Sequence, residues 1–392
     1  MVAKKARVNG TIVLARHTPG TVIAGLEYPH ITFVVPSLQA GGAENIVSTM
    51  ANYWVKSGAR VTIFSMSAKE ETPFYNLDSA ILFRPLGLAE RSGNVLSACK
   101  NTARRISILK RALGKEKPDL IISVLTETSI LTILSTRGLG IPVIVAEHSD
   151  PYCYPSSGIW RGMRRISYLS AARIVVLNKH ASSYFERSNS GKVVIIPNSV
   201  QQCRAVSEGE ACPERKQWIV CMGRLSEEKG FDILLQAFSR VSNLFNEWRV
   251  IILGEGPQRH NLENMVSDLG VQDRVEFRGQ VNNPDKILVR AGIFVLSSRS
   301  EAFPMGLCEA MSCGCPVIAT QYHSGVFDLI QPEYDGLVVP KENVTALSQA
   351  LSRLLGDSSL RLRLGKSARE IVSRYNIESV MRLWDSEIKQ LA

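Results

Sequence analysis

The chain has 392 residues, of which 45% are hydrophobic and 21% charged, so its composition is that of a globular protein too long for one ordinary hydrophobic core. No stretch approaches the roughly 18 consecutive apolar residues of a membrane-spanning helix, and no two of the eight cysteines have the two-residue gap of a zinc knuckle or a redox site. These properties exclude a disordered chain and a disulfide scaffold, and they favour a reduced protein with two domains.

The positive charge is concentrated in the first half. Residues 1–200 contain 24 Lys and Arg against 12 Asp and Glu, whereas residues 201–392 contain 22 against 24. A nucleic acid, an anionic membrane surface or a diphosphate substrate would each suit a basic half. Basic and aromatic residues do not alternate as they do where bases stack, so we predict no nucleic-acid partner.

Residues 1–28 have a basic start but only a short apolar run, which does not make the core of a signal peptide, and we expect a flexible N-terminal extension. A strand is predicted from residue 29, and the turn after it contains Gly41 and Gly42 at the start of a helix. Adjacent glycines let backbone N–H groups approach a phosphate there, although a tight turn explains them about as well.

Further strands alternate with helices along the first half. They are predicted at 60–65, 80–84, 119–124, 142–146, 173–176 and 192–196. This alternation predicts a doubly wound parallel sheet over residues 29–200. His148 directly follows the strand 142–146 and Glu147, so we expect it at the edge of the sheet where ligands bind. A structural role for this lone histidine is about equally well supported.

The segment 96–115 is predicted to form an amphipathic helix with one apolar stripe. Its basic residues include Lys100, Arg104, Arg105, Lys110 and Arg111. Such a helix can lie on an anionic membrane, or it can be a solvated helix whose charges only keep the protein soluble. Arg161, Arg164 and Arg165 form a second basic cluster, and Trp160 beside them is a candidate for a position at a headgroup interface.

A polar linker precedes a second α/β unit, which we assign to residues 201–376. Its first strand leads into a loop with Arg224 and Lys229, and a helix is predicted over residues 231–241. Both cations therefore come to a helix N-terminus, where N–H groups and the helix dipole favour anions. This arrangement predicts a diphosphate site, and the alternative is two exposed basic residues without a ligand.

The next strand, 249–253, ends at Gly254 in the sequence Gly-Glu-Gly-Pro. Arg259 occupies the position that a dinucleotide fingerprint reserves for glycine, and the turn follows the second strand of its unit instead of the first. A dehydrogenase is therefore disfavoured.

Two glutamates follow the apolar run 293–296. Glu301 is predicted in the loop after this strand, and Glu309 in the short helix that follows. Two neighbouring carboxylates suggest a general acid and base, as in glycoside hydrolysis. Considered together with Arg224 and Lys229, they favour groups that bind the hydroxyls of a ligand at both of its ends.

Five motifs in this order resemble the retaining nucleotide-sugar transferases of glycosyltransferase family 4. They are Gly41-Gly42-Ala43-Glu44, Glu147-His148, Gly223-Arg224-Leu225 with Lys229-Gly230, Gly254-Glu255-Gly256-Pro257, and Glu301 with Glu309. The resemblance covers about residues 29–392 and implies an α/β protein of the GT-B fold, in which two Rossmann-like, doubly wound domains face each other across a cleft. It also implies that the final helix, 377–391, packs back onto the first domain, and the alternative is packing on its own domain.

The resemblance further implies roles for these residues. Arg224 and Lys229 would bind the donor diphosphate and stabilise its charge as the sugar leaves. Glu301 would contact the donor sugar, Glu309 the ribose, and His148 the sugar from the opposite domain. The remaining implied donor contacts are Gly41, Gly42, Gly254, Met305 and Gly306.

The expected activity is transfer, with retention of configuration, of a hexose or N-acetylhexosamine from a nucleotide-sugar, UDP-linked, to a polyprenyl-diphosphate-linked glycan during surface polysaccharide or glycoconjugate assembly. The expected location is the inner face of the cytoplasmic membrane. No Asp-x-Asp pair occurs, so we expect cations to replace a metal ion, and no cofactor. A soluble acceptor, such as a sugar phosphate or a small glycoside, and a catalytically silent nucleotide-sugar-binding protein are the alternatives.

Overall fold

The computed structural model describes residues 29–88, 95–153, 158–207 and 214–391, so the expected extension over residues 1–28 lies outside the described residues. The chain forms two sheets, one of seven and one of six strands, and every strand pair in both sheets is parallel. This is the predicted two-domain, doubly wound architecture.

The first sheet has the strand order β3-β2-β1-β4-β5-β6-β7. Its strands are β1 Ile31–Val35, β2 Val61–Ser65, β3 Leu82–Pro85, β4 Leu120–Val124, β5 Val143–Glu147, β6 Arg173–Val176 and β7 Val193–Ile195. The helices are α1 Gly42–Lys56, α2 Val95–Glu116, α3 Thr126–Thr136, α4 Gly158–Ser167 and α5 Lys179–Asn189, and the short helix α6 Arg204–Ser207 follows β7 at the start of the second domain. Every residue of β1, β2, β4 and β5 is buried, as expected where helices cover both faces of a parallel sheet.

The second sheet has the strand order β10-β9-β8-β11-β12-β13. Its strands are β8 Lys216–Met222, β9 Arg249–Leu253, β10 Val275–Phe277, β11 Ala291–Leu296, β12 Val317–Gln321 and β13 Leu337–Pro340. The helices are α7 Phe231–Ser242, α8 Arg259–Asp268, α9 Asp285–Leu288, α10 Met305–Ser312, α11 Val326–Leu329, α12 Val344–Gly356, α13 Ser358–Ala368, α14 Ile371–Arg374 and α15 Ile377–Lys389. Three short 3₁₀ helices lie at Tyr168–Ser170, Glu227–Lys229 and Gln272–Arg274.

One predicted helix is divided. The sequence pattern indicates a single helix over 359–374, but α13 and α14 are separate. The N–H group of Glu370 bonds to the carbonyl of Ser367, three residues earlier, and this tight turn ends α13.

The final helix, α15, lies on the first sheet. Its apolar face shares a buried cluster with β1 and α1, and Trp384 packs edge-on against Trp54 with 6.3 Å between ring centroids. The indole nitrogen of Trp54 donates to Asp385 Oδ1 at 2.8 Å. The C-terminus of the chain is thereby attached to the N-terminal sheet. None of the described helices is both long and apolar enough to cross a membrane.

Candidate active site

The loop that carries Lys229 begins at the end of β8 and leads into α7. Gly230 precedes α7 with φ 62°, and a Cβ on it would lie 2.2 Å from the carbonyl oxygen of Ser297. Only glycine fits this left-handed position against the backbone of the β11 loop. The alkyl chain of Lys229 lies beside Gly223, so its ammonium group has a defined direction.

Several contacts attach this loop to the loop after β11. Ser297 Oγ donates to the carbonyl of Lys229 at 3.0 Å, and the N–H group of Arg299 donates to the carbonyl of Glu228 at 2.8 Å. The Arg299 guanidinium also binds both carboxylate oxygens of Asp232, at 2.9 and 2.8 Å. The two loops therefore behave as one unit at the carboxyl edge of the sheet.

Lys229 and Glu301 form an ion pair within this unit. Lys229 Nζ lies 2.7 Å from Glu301 Oε1, and their side chains are 25% and 8% exposed. A lysine ammonium has three donors, so Nζ can keep this bond and still donate to phosphate oxygens. The Lys229 ammonium can thus donate to an anionic ligand while the Glu301 carboxylate keeps its ion pair.

Arg224, the second predicted cation, lies on the same loop but is exposed. Its guanidinium makes no hydrogen bond or ion pair within the described parts of the chain. Sequence proximity places it near Lys229, and its donors remain available to an anionic ligand.

Gly254 supports the loop geometry by allowing close packing. It has φ 143°, and a Cβ on it would lie 1.9 Å from the carbonyl oxygen of Gly223. The turns after β8 and β9 therefore contact each other backbone to backbone. No described contact joins Gly254 directly to Lys229 or Glu301.

Glu309 lies in α10, where its carboxylate accepts no hydrogen bond from a described residue. Burial, and secondarily the charge of Asp285, raise the pKa of Glu309 to about 8. The residue is nevertheless partly exposed, so one side of it faces the cleft. A desolvated carboxyl group that lacks donors can accept hydrogen bonds from the hydroxyl groups of a ligand, and such bonds favour its ionised form.

The first domain contributes its glycine loop next to Glu309. The Tyr75 hydroxyl donates to the carbonyl of Gly41 at 3.1 Å and accepts from its N–H group at 3.3 Å. Burial raises the pKa of Tyr75 to about 12, and the charge of Glu309 adds to this shift. A Cβ on Gly42 would lie 3.4 Å from Met305 Cγ, at the start of α10. Gly41, Gly42, Met305 and Glu309 thus meet across the domains.

Gly306 follows Met305 in α10 and packs inward. A Cβ on Gly306 would lie 3.2 Å from Met222 Cε, at the end of β8. The absence of a side chain lets the first turn of α10 approach the strand that leads to Lys229.

His148 lies just beyond β5 and is partly buried. Its Nδ1 is completely buried and has no hydrogen-bond partner among the described residues. Burial lowers the pKa of His148 to about 4, so the ring is neutral at neutral pH and can act only as a hydrogen-bond donor or acceptor. Nearby, Ser300 Oγ donates to Asp150 Oδ2 at 3.1 Å, which joins the His148 loop to the residue before Glu301.

Two protein-family models match consecutive parts of this chain. The model described as Glycosyltransferase Family 4 matches residues 40–202, and the one described as Glycosyl transferases group 1 matches residues 204–371. The chain belongs to glycosyltransferase family 4.

Relatives and solved structures are consistent with this assignment. The Campylobacter jejuni enzyme GalNAc-alpha-(1->4)-GalNAc-alpha-(1->3)-diNAcBac-PP-undecaprenol alpha-1,4-N-acetyl-D-galactosaminyltransferase is 29% identical, over 90% of this chain and 96% of its own. Sucrose-phosphate synthase from Thermosynechococcus elongatus has a TM-score of 0.78 at 21% identity, with 93% and 99% of the two chains covered. Anabaena HepE in complex with UDP-glucose has a TM-score of 0.75 at 16% identity, with 93% and 100% covered. These structural likenesses show that the glycosyltransferase has the GT-B fold.

The Glu301 loop of this glycosyltransferase is oriented by three residues that were not among the predicted site residues. Ser298 Oγ donates to Glu301 Oε1 at 2.6 Å, and Asn178 Nδ2 donates to the carbonyl of Ala302 at 2.7 Å. His323 Nε2 donates to the carbonyl of Glu301 at 2.7 Å, while its Nδ1 accepts from a backbone N–H group. Each follows the carboxyl end of a strand, and that position was the available signal.

Two groups of residues in the described parts of the glycosyltransferase have metal-ligand chemistry. One is Asp150, His180 and His323. The rings of His180 and His323 stack 4.2 Å apart at an angle of 13°, so their in-plane lone pairs run nearly parallel and do not converge on one ion. The other is Cys203, Asp285 and Cys313, in which Cys313 Sγ lies 2.6 Å from Cys203 Sγ.

The predicted basic surfaces of the glycosyltransferase differ in their exposure. In α2, Arg105 donates to the carbonyl of Leu88 at 3.0 Å and Lys110 to that of Arg137 at 2.7 Å. Arg164 does not belong to the exposed part of the second basic cluster, because its side chain is buried and lies over the ring of Tyr184. Trp160 is partly buried against the same core.

Proposed function

We propose that this glycosyltransferase moves a hexose or N-acetylhexosamine, with retention of configuration, from a UDP-linked sugar to a polyprenyl-diphosphate-linked glycan. The observation that carries the proposal is the pairing of Lys229 with Glu301 at 2.7 Å. Glu309, in the helix that follows the Glu301 loop, adds a second carboxyl group that has no hydrogen-bond donor among the described residues. A cation and two carboxyl groups on adjoining segments suit a ligand that has a diphosphate between two groups of hydroxyls.

The donor would lie with its diphosphate at Lys229 and Arg224. Negative charge develops on the leaving diphosphate, and fixed cations stabilise it most in a site from which water is excluded. The ribose hydroxyls would donate to Glu309, and the sugar hydroxyls would reach Glu301. HepE, a protein of the same fold, has been solved in complex with UDP-glucose, which supports a nucleotide-sugar as the ligand.

Retention would proceed by delivery of the acceptor on the face from which the diphosphate leaves. Oε1 of Glu301 accepts from both Lys229 and Ser298, which lowers the nucleophilicity of this carboxylate. The neutral ring of His148 would bind a sugar hydroxyl and would not carry charge. A glycosyl-enzyme adduct trapped and seen by intact-mass spectrometry would contradict this mechanism.

The lipid-linked acceptor is supported by the Campylobacter jejuni relative, whose name gives a PP-undecaprenol glycan as its substrate. Lys100, Arg104 and Arg111 of α2 are exposed, and with Arg105 and Lys110 they form the surface that we assign to an anionic membrane. The enzyme would act peripherally on the cytoplasmic face of that membrane, without a metal ion or other cofactor.

Turnover of radiolabelled UDP-sugars by the wild type, by Lys229→Ala and by Glu301→Ala tests the proposal. Loss of turnover in both variants is expected, while Lys286→Ala, which removes an exposed lysine of the same domain, should be unaffected. A wild type that binds UDP-sugars without turnover would instead be a silent binding protein. Transfer to a small glycoside but not to a polyprenyl-diphosphate glycan would support a soluble acceptor.

A further inference from the structure

Helix α4 and the turn that follows it present an apolar face to solvent. Ile159 is 74% exposed, Ile166 65% and Leu169 55%. Ile159 and Ile166 are two helical turns apart, and Leu169 continues the same side of the helix. Gly162, between them, has open space where a Cβ would lie. The three side chains therefore form one stripe, which we call the α4 stripe.

The opposite side of α4 explains why the apolar residues face outwards. Arg164 is buried, with its guanidinium 4.9 Å from the ring centroid of Tyr184. Ser167 and Tyr168 are buried on the same side, and the hydroxyl of Tyr168 donates to the buried carboxylate of Glu147. These buried polar contacts determine which side of the helix faces the core. The α4 stripe is therefore on the side of the helix that faces solvent in the folded protein.

Positive charge borders the α4 stripe. Arg161 and Arg165 are exposed along one edge of it, and residues 158–170 contain no acidic residue. Helix α3 packs between α4 and α2, so the exposed basic residues of α2 belong to the same helical layer. An occupant of this surface must therefore be apolar in part and anionic in part.

We propose that the α4 stripe inserts into the interfacial region of an anionic lipid bilayer, with Arg161 and Arg165 at the level of the phosphates. Apolar side chains next to arginines are the pattern of interfacial membrane helices. A second copy of the chain fits less well, because a two-fold contact through this face would bring the same arginines together. Anionic headgroups neutralise them instead.

This inference deepens the proposed function, on which its choice of partner rests. Tyr168, directly after α4, donates to Glu147, the last residue of β5, so this helix packs at the edge of the sheet where His148 also lies. Insertion of Ile159 would hold this edge against the bilayer, where a lipid-linked diphosphate is found.

Sedimentation with vesicles of phosphatidylglycerol and phosphatidylcholine tests the surface without requiring turnover. The variant Ile159→Ser/Ile166→Ser/Leu169→Ser should partition onto vesicles roughly tenfold less than the wild type. Leu244→Ser/Leu362→Ser is the matched control, because these leucines are 75% and 71% exposed on the other domain, and it should bind like the wild type. Arg161→Glu/Arg165→Glu should also weaken binding, and only to anionic vesicles.

Equal vesicle binding by the triple variant and the wild type would overturn the proposal. So would a wild-type dimer in analytical ultracentrifugation that the triple substitution dissociates, since the stripe would then be an interface between copies. Each variant's melting temperature shows that it is folded. If the wild type binds vesicles through the α4 stripe but transfers no sugar, the membrane surface is supported and the proposed function is refuted. Failure of this inference can therefore be distinguished from failure of the proposed function.

Discussion

Replacing Glu309 by Gln should stabilise the folded protein and weaken donor binding at the same time. The pKa of Glu309 is raised from its ordinary 4.5 to about 8. Between these values the folded state keeps a proton that the unfolded state releases, so the free energy of unfolding falls as pH rises through this window. Below pH 4.5 both states are protonated and the penalty is absent; above pH 8 it is complete.

The size of the effect follows from the burial of the side chain. The difference between the two pKa values corresponds to an upper limit of about 5 kcal/mol. Glu309 is partly exposed to the cleft, and solvation there reduces the expected gain for Glu309→Gln to about 1–2 kcal/mol above pH 8. In a protein of this size the melting temperature should rise by about 2 °C.

Thermal unfolding at pH 5 and pH 8.5, with calorimetric titration of UDP, measures both consequences. We expect stabilisation mainly at pH 8.5, and at that pH roughly tenfold weaker UDP binding, because an amide replaces the ionised carboxylate that accepts from the ribose hydroxyls. Exposed Glu247→Gln is the control and should change neither property. A Glu309→Gln variant that is no more stable than the wild type at pH 8.5, or that binds UDP equally well, would refute this reasoning.

Three further outcomes are expected. Gly254→Ala should lower the free energy of unfolding in urea by about 2–4 kcal/mol, because its Cβ would lie 1.9 Å from the carbonyl of Gly223. Gly270→Ala is the control, since this residue also has a positive φ but lies in open space, and it should lower the free energy of unfolding by only about 1 kcal/mol. Trp384→Ala should cost about 3–5 kcal/mol by removing the contact with Trp54, and a loss below 1 kcal/mol would mean that α15 contributes little. Sugar transfer should survive EDTA, whereas a loss restored by Mg²⁺ or Mn²⁺ would contradict a metal-independent mechanism.

The strands were largely predictable because buried parallel strands are continuous apolar runs. The predicted strands at 173–176 and 249–253 coincide with β6 and β9. The end of α13 was not predictable in this way, because a single three-residue turn at Ser367 leaves the helical spacing of apolar residues almost unchanged. Periodicity therefore located the elements, and local hydrogen bonds decided some of their ends.

For the site, the sequence could select residues but not their partners. Lys229 and Glu301 were each recognisable from their loops, yet the 2.7 Å bond between them joins positions 72 residues apart. Asn178 and His323 had no motif of their own, because their function depends on the backbone of a loop that is distant in sequence. Such contacts arise only when folding brings the carboxyl ends of distant strands together, within the second sheet for Lys229 and His323 and between the two sheets for Asn178.

By itself, the sequence determined the class of the protein: two parallel-sheet domains, the glycine and cation loops, and the two glutamates. Only the tertiary structure decided which charges are compensated, that Glu309 lacks a donor, and that Arg164 points inwards while Ile159 and Ile166 face solvent. The physical reason is that spacing along the chain defines the faces of a helix, whereas the surrounding polar anchors determine which face is buried.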